Sequence, residues 1–239
     1  MERTMATTTP CQVAWLGSVP YLEAWALQKR LAAARGADEI PDTLLLLEHP
    51  HTYTLGTSGH DEYVLLTPDE LAARGIEVHR VDRGGDVTYH GPGQLVGYPI
   101  FKLPPAFDNL HADVIAYIHG LEDAIITALD EYGLAGWPYE GLTGVWVGER
   151  EAAPEKICAI GVKLTTKRVT LHGFALNVST DLSYFGGIVP CGIHDKGVTS
   201  MQRALGDSPP LEMVQVREVV TRAFARHFGR EMSPAALSL

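Results

Sequence analysis

The chain reads as a single α+β domain, a mixed β-sheet flanked by helices. Strand signals cluster together, amphipathic helices punctuate them without regular βαβ alternation, and no internal repeat or low-complexity linker divides the chain. A length of 239 residues with 46% hydrophobic and 20% charged residues is enough for a sizeable core.

Residues 1–10 contain no apolar run and read as a flexible tail, which leaves 11–239 as the folded domain. Tyr21 to Ala34 places Leu22, Trp25, Ala26 and Leu31 in helical register and stops before Gly36. Four leucines, Leu44 to Leu47, lie between Pro41 and Pro50, so Thr43 to Glu48 reads as a short buried strand. Ile76 to Val81 reads as the next strand. Gln94 to Phe101 follows, with Pro99 placing it at a sheet edge or strand end. His111 to Tyr132 is the clearest helix, repeating Val114, Ile118, Leu121 and Ile125 on one face before Gly133. Thr143–Val147, Lys156–Leu164 and Val169–Val178 are rich in β-branched and apolar residues and predict a β-meander. A last helix spans Leu211 to His227 through Met213, Val216, Val220 and Phe224.

Composition excludes several classes. The 19 basic residues against 29 acidic ones give a net charge of −10, unsuited to a chain-wide nucleic-acid footprint or a polybasic membrane anchor. No apolar run approaches the roughly 18 to 20 residues that cross a bilayer. Cys11, Cys158 and Cys191 are odd in number and widely spaced, which offers neither a disulfide framework nor a four-cysteine zinc site and fits a reducing cytoplasm. His49, His51 and His60 lack metal-ligand spacing and read as surface or loop histidines; Cys191-x-x-His194 has no second pair, so no metal is expected.

Three stretches carry chemistry. The first, Arg83, Gly84, Gly85, Asp86, Val87, Thr88, Tyr89 and His90 followed by Gly91-Pro92-Gly93-Gln94, is either the wall of a site or a glycine-rich connection. It has neither the Walker ending nor the dinucleotide spacing. In the second, Gly186 to His194, Cys191 stands between proline and glycine; it is either inert or a nucleophile, and as a nucleophile it needs a nearby base or cation, for which His194, His172, His90 and Lys156 are candidates. The third is Lys156-Ile-Cys-Ala-Ile-Gly-Val-Lys163, where alternation puts Lys156, Cys158 and Ile160 on one face. Lys156 is then either half-buried or an edge-strand lysine in water, with Cys158 a core thiol.

Taken together, Arg83-Gly-Gly-x-x-Thr-Tyr-His90 with Gly93-Gln94 and Tyr98, Lys156-Ile-Cys-Ala-Ile-Gly161, His172-Gly-Phe-Ala-Leu-Asn177 and Pro190-Cys191-Gly192 resemble the lipoyl(octanoyl) transferase family over roughly residues 44–200. The resemblance implies a fold like the biotin and lipoate protein ligase catalytic domains. It also implies octanoyl transfer from acyl carrier protein to a lysine of lipoyl domains, those of 2-oxoacid dehydrogenase complexes and the glycine cleavage H protein. No cofactor is implied, since the acyl donor rides on the carrier's phosphopantetheine, and a cytoplasmic monomer is expected. Cys191 is then the acyl-thioester nucleophile and Lys156 the partner that lowers its pKa. Arg83 to His90, Ala159, Ile160 and Gly161, and Gly173, Phe174 and Ala175 would form the substrate-binding walls. The glycines would leave room for the acyl tail, with a bulky residue at Gly85 or Gly161 shortening the preferred chain. Lys163, Lys167 and Arg168 form the densest basic cluster and would dock the acidic carrier. An ATP-dependent ligase, a cysteine hydrolase and a non-catalytic binding module are the competing readings.

Overall fold

Leu44 to Leu47 are all buried, and they divide between two cores: Leu44 and Leu46 pack on one side of their strand, Leu45 and Leu47 on the other. Side chains alternate faces along a strand, so an unbroken apolar run means that both faces are covered. The computed structural model describes residues 8–106, 112–189 and 196–237.

In chain order the elements are β1 (Thr9–Ser18), α1 (Tyr21–Gly36), β2 (Asp42–Glu48), β3 (Thr52–Leu55), α2 (Pro68–Ala73), β4 (Glu77–Arg80), β5 (Val87–His90), β6 (Gln94–Ile100), α3 (Val114–Asp130), β7 (Trp137–Tyr139), β8 (Leu142–Glu149), β9 (Ala153–Leu164), β10 (Thr170–Asn177), β11 (Gly197–Val198), α4 (Met201–Ala204), α5 (Met213–Phe228) and β12 (Arg230–Pro234). The main sheet runs β12-β1-β2-β6-β10-β9-β8-β7, with β11 beside β9. It is mixed: β1 lies parallel to β2 and β12, while β8 to β10 form the predicted antiparallel meander, which β7 extends by one strand. On one face α3 and α5 bury Leu121, Ile125, Val220 and Phe224; on the other, α1 buries Ala24 and Leu27. A small sheet, β4-β3-β5, has its own core of Tyr53, Leu55, Val87 and Tyr89. Among the described residues no helix is long and apolar enough to cross a membrane.

Two expectations are corrected and two alternatives are decided. Thr9 and Pro10 are not part of a tail: they belong to β1 and pair with Arg230 and Glu231. Of the two places open to Pro99 the strand end holds: it is the penultimate residue of β6, which itself lies in mid-sheet, and the β6–β10 ladder ends at Gly97, so the N–H that proline lacks is not needed farther along. The third helix begins at Val114, where the Asp113 carboxylate caps the Ala116 N–H at 2.9 Å. Finally, β9 is interior at Lys156, which pairs with Trp146 of β8 on one side and Val198 of β11 on the other. The edge-strand reading of that lysine is excluded.

Candidate functional site

The glycine-rich stretch turns from the small sheet toward the large one. Arg83 is buried, and its guanidinium donates to the Thr54 carbonyl at 2.7 Å, to Thr54 Oγ1 at 2.9 Å and to the Gly84 carbonyl at 3.1 Å. Backbone bonds from Gly56, Thr57 and Ser58 to Asp86, Arg83 and Gly85 lace the loop down. Gly84 N–H then donates to the Val162 carbonyl of β9 at 2.9 Å, closing the loop against the main sheet. A Cβ at Gly56 would lie 2.3 Å from the Gly85 carbonyl oxygen, so only glycine permits this lacing.

Between loop and sheet lies a cleft of about 430 Å³, within the size range of small-molecule sites. It is lined by every predicted wall residue except Tyr89, and also by Lys156, Tyr21, Tyr98, His172 and the helical Val114 and Ile118. Tyr89 departs because its ring turns into the small sheet's core, where it stacks on Tyr184 at 5.2 Å and meets His51 Nδ1 at 2.8 Å, while Val87, Thr88 and His90 reach the cleft. Gly161 is not an open space awaiting a tail. A Cβ there would lie 2.9 Å from the Gly84 carbonyl and 3.2 Å from Arg83 Cδ, so this glycine serves the approach of loop to strand. Gly85, at φ +86°, serves the loop's left-handed turn.

Lys156 lies in the cleft wall, its Nζ donating to the Thr143 carbonyl at 3.2 Å and standing 4.8 Å from the Trp146 ring centre. Cys158 is the core thiol expected; it is fully buried, and burial pushes its pKa up. Cys191 and His194 lie outside the described residues. On one side of them, Val189 N–H donates to the Tyr63 carbonyl at 2.9 Å. On the other, Val198 pairs with Lys156 and Thr199 N–H donates to the Lys156 carbonyl at 3.0 Å.

A directed polar chain runs behind the cleft. Thr54 Oγ1, which accepts from Arg83, faces His90 Nε2 at 3.4 Å; His90 Nδ1 meets Gln94 Oε1 at 2.9 Å; Gln94 Nε2 donates to Asn177 Oδ1 at 2.9 Å; and Asn177 Nδ2 donates to the Thr199 carbonyl at 3.0 Å. The glycine-rich motif and the His172–Asn177 motif are thereby tied to Thr199, the residue after β11. Gln94 and Asn177 stand inside the recognised motifs, but their roles depend on pairings that no spacing displays. His49 is buried, not superficial: its Nδ1 meets the Val19 carbonyl at 2.6 Å and its Nε2 the Tyr98 hydroxyl at 2.7 Å.

His172 sits in a strand at φ 58°, its N–H turned to Gln28 Oε1 at 2.7 Å and its Nε2 to Asp82 Oδ1 at 2.8 Å. Asp82 also accepts from Lys163 at 2.6 Å; burial pushes its carboxyl up, but the bonds to Lys163 and His172 outweigh it and hold it below the usual range. Lys163 is therefore engaged within the fold and Arg168 Nε faces the Leu103 carbonyl at 3.4 Å, which leaves Lys167 as the exposed member of the basic cluster. Burial lowers His49 to about 4 and, against the pull of Asp82, His172 to about 4. Burial, with the nearby His49 and Arg83, takes His90 well below the ordinary range. All three rings are neutral at pH 7.

The comparisons with known proteins agree with this architecture. Residues 20–225 match the family model of the lipoyl protein ligase A/B catalytic domain. An octanoyltransferase of Chloroflexus aurantiacus is 54% identical over 227 residues, 95% of this chain and 98% of its own length. One from Solibacter usitatus is 53% identical over 226 residues, covering 95% and 96%. Among solved structures, the bipartite lipoate protein ligase of Thermoplasma acidophilum superposes with a TM-score of 0.73 at 18% identity, covering 96% of this chain and 88% of its own. A lipoate-protein ligase A bound with ATP gives 0.71 at 18% identity, covering 96% and 90%. At these identities the structures speak to the fold, and the closer relatives to the family: the chain belongs to the octanoyltransferases of the lipoyl protein ligase A/B catalytic-domain family.

Proposed function

We propose that this acyltransferase moves an octanoyl group from acyl carrier protein to a lysine of a lipoyl domain by way of a thioester on Cys191. The observation that carries the proposal is the position of Lys156, which lines the motif-walled cleft while pairing with the strand that follows the Cys191 segment. The Cys191 thiolate attacks the carrier's octanoyl thioester carbonyl, a C–S bond forms, and the carrier thiolate leaves, taking the proton of the Lys156 ammonium and leaving Lys156 neutral. One thioester replaces another at little cost, so no nucleotide is needed. The acceptor lysine then attacks as a neutral amine, loses its proton to Lys156, and returns the sulfur of Cys191 as thiolate; amide formation makes this step downhill.

Burying about seven carbons of the octanoyl tail is worth on the order of 5 kcal/mol at ~0.8 per methylene, enough to favour this chain length over much shorter ones. Val114, Ile118, Ile160 and Phe174 supply apolar wall for it. Intact-mass analysis after mixing with octanoyl carrier protein, without nucleotide, tests the reading through an adduct of about +126 Da. The adduct is expected on the wild-type protein and not on Cys191→Ser. Acylation that requires ATP, or an equal adduct on both proteins, would overturn it.

A further inference from the structure

Glu122 is a buried carboxylate in the middle of α3, outside every motif that marks the site. Its Oε1 accepts the Gly144 N–H at 2.9 Å, and its Oε2 faces His119 Nδ1 at 3.0 Å. The N–H of Gly144 and the carbonyl of Thr143 belong to one peptide group, and that carbonyl accepts from Lys156 Nζ at 3.2 Å. A trans peptide is planar with N–H and C=O pointing opposite ways, so fixing one end aims the other. One rigid amide thus stands between a carboxylate and an ammonium. Gly144 holds φ +127°, and a Cβ there would lie 2.5 Å from the Cys158 carbonyl, so the close seating of this peptide on β9 depends on glycine.

We infer that Glu122 is a positioning residue for Lys156, acting through the Thr143–Gly144 peptide. The carboxylate orients the amide and polarises it, which makes the Thr143 carbonyl a stronger acceptor for the ammonium facing the cleft. The catalytic side of this inference rests on the role of Lys156 proposed above; the geometric side does not.

Two measurements on the full chain separate them. The first is competitive labelling of lysines with acetic anhydride, read by peptide mass spectrometry at Lys156 against the other lysines. Glu122→Ala is expected to change labelling of Lys156 by about threefold or more, whereas Glu122→Gln, which keeps the acceptor for Gly144, stays within about 1.5-fold of wild type. The second is a cycle of Glu122→Ala and Lys156→Ala on kcat/KM for octanoyl transfer. Glu122→Ala is expected to cost about tenfold alone and less than about twofold when Lys156 is already alanine. Unchanged labelling in Glu122→Ala, or an equal cost in both backgrounds, overturns the inference. If Lys156→Ala itself leaves transfer intact, the proposed role of Lys156 falls and the labelling still decides whether Glu122 positions it. Should Glu122→Ala fail to fold, the inference stands or falls on Glu122→Leu, which shares the lost acceptor and fills the space.

Discussion

Replacing His49 by glutamine should remove a defined share of the protein's acid sensitivity. The ring is enclosed between the Val19 carbonyl and the Tyr98 hydroxyl, and burial brings its pKa to about 4. In the unfolded chain it returns to about 6.5, so below that pH the unfolded state binds a proton that the folded state refuses, and stability falls as pH falls toward 4. At pH 5 the penalty for one such histidine is about 2 kcal/mol, and at pH 7 about 0.2. Glutamine has a donor and an acceptor for the same two partners and takes up no proton. Urea unfolding of wild type and His49→Gln at pH 7 and pH 5 should therefore give a wild-type loss larger by about 2 kcal/mol, a gap that reflects His49 alone because His90 and His172 are common to both. An identical loss in the two proteins would refute the assignment of a buried neutral imidazole at this position.

Two further substitutions probe the cleft and its approach. Gly161→Val is expected to push back the Gly84 carbonyl, which a Cβ would approach to 2.9 Å, and so to lower transfer of six-, eight- and ten-carbon thioesters together; a selective shift toward shorter chains would restore the tail-room reading. Lys167→Glu should weaken transfer from octanoyl carrier protein at low salt while leaving a small octanoyl thioester unaffected, because this lysine is exposed and outside the cleft lining. Equal effects on both donors, or none, would remove the cluster as a docking site.

Much of the fold is legible in local pattern. The leucine run between two prolines and the β-branched meander become interior strands, and the Val114 to Ile125 repeat becomes one face of α3. What stayed hidden depends on partners distant in sequence. β1 and β12 carry no strong alternation; β1 is a strand because β2 and β12 flank it, and β12 because β1 lies beside it. His49 looks like a loop residue until Val19 and Tyr98 close over it. The cleft walls were legible because glycines and polar tips crowd into short motifs, and Tyr89 escaped because its ring packs against Tyr184 and His51 instead. Glu122 had no such signal: a charged residue in an amphipathic helix reads as solvent-facing until Gly144, across the core, supplies its N–H.

A covalent acyl-enzyme on Cys191 must be competent for transfer, which single-turnover chemistry measures. Octanoylated enzyme, freed of carrier protein and nucleotide, is mixed with a lipoyl domain and both masses are followed in time. The adduct of about +126 Da is expected to leave Cys191 and to appear on the lipoyl-domain lysine in equal amount. Release as free octanoate, or an adduct that stays on the enzyme until ATP is added, would contradict it.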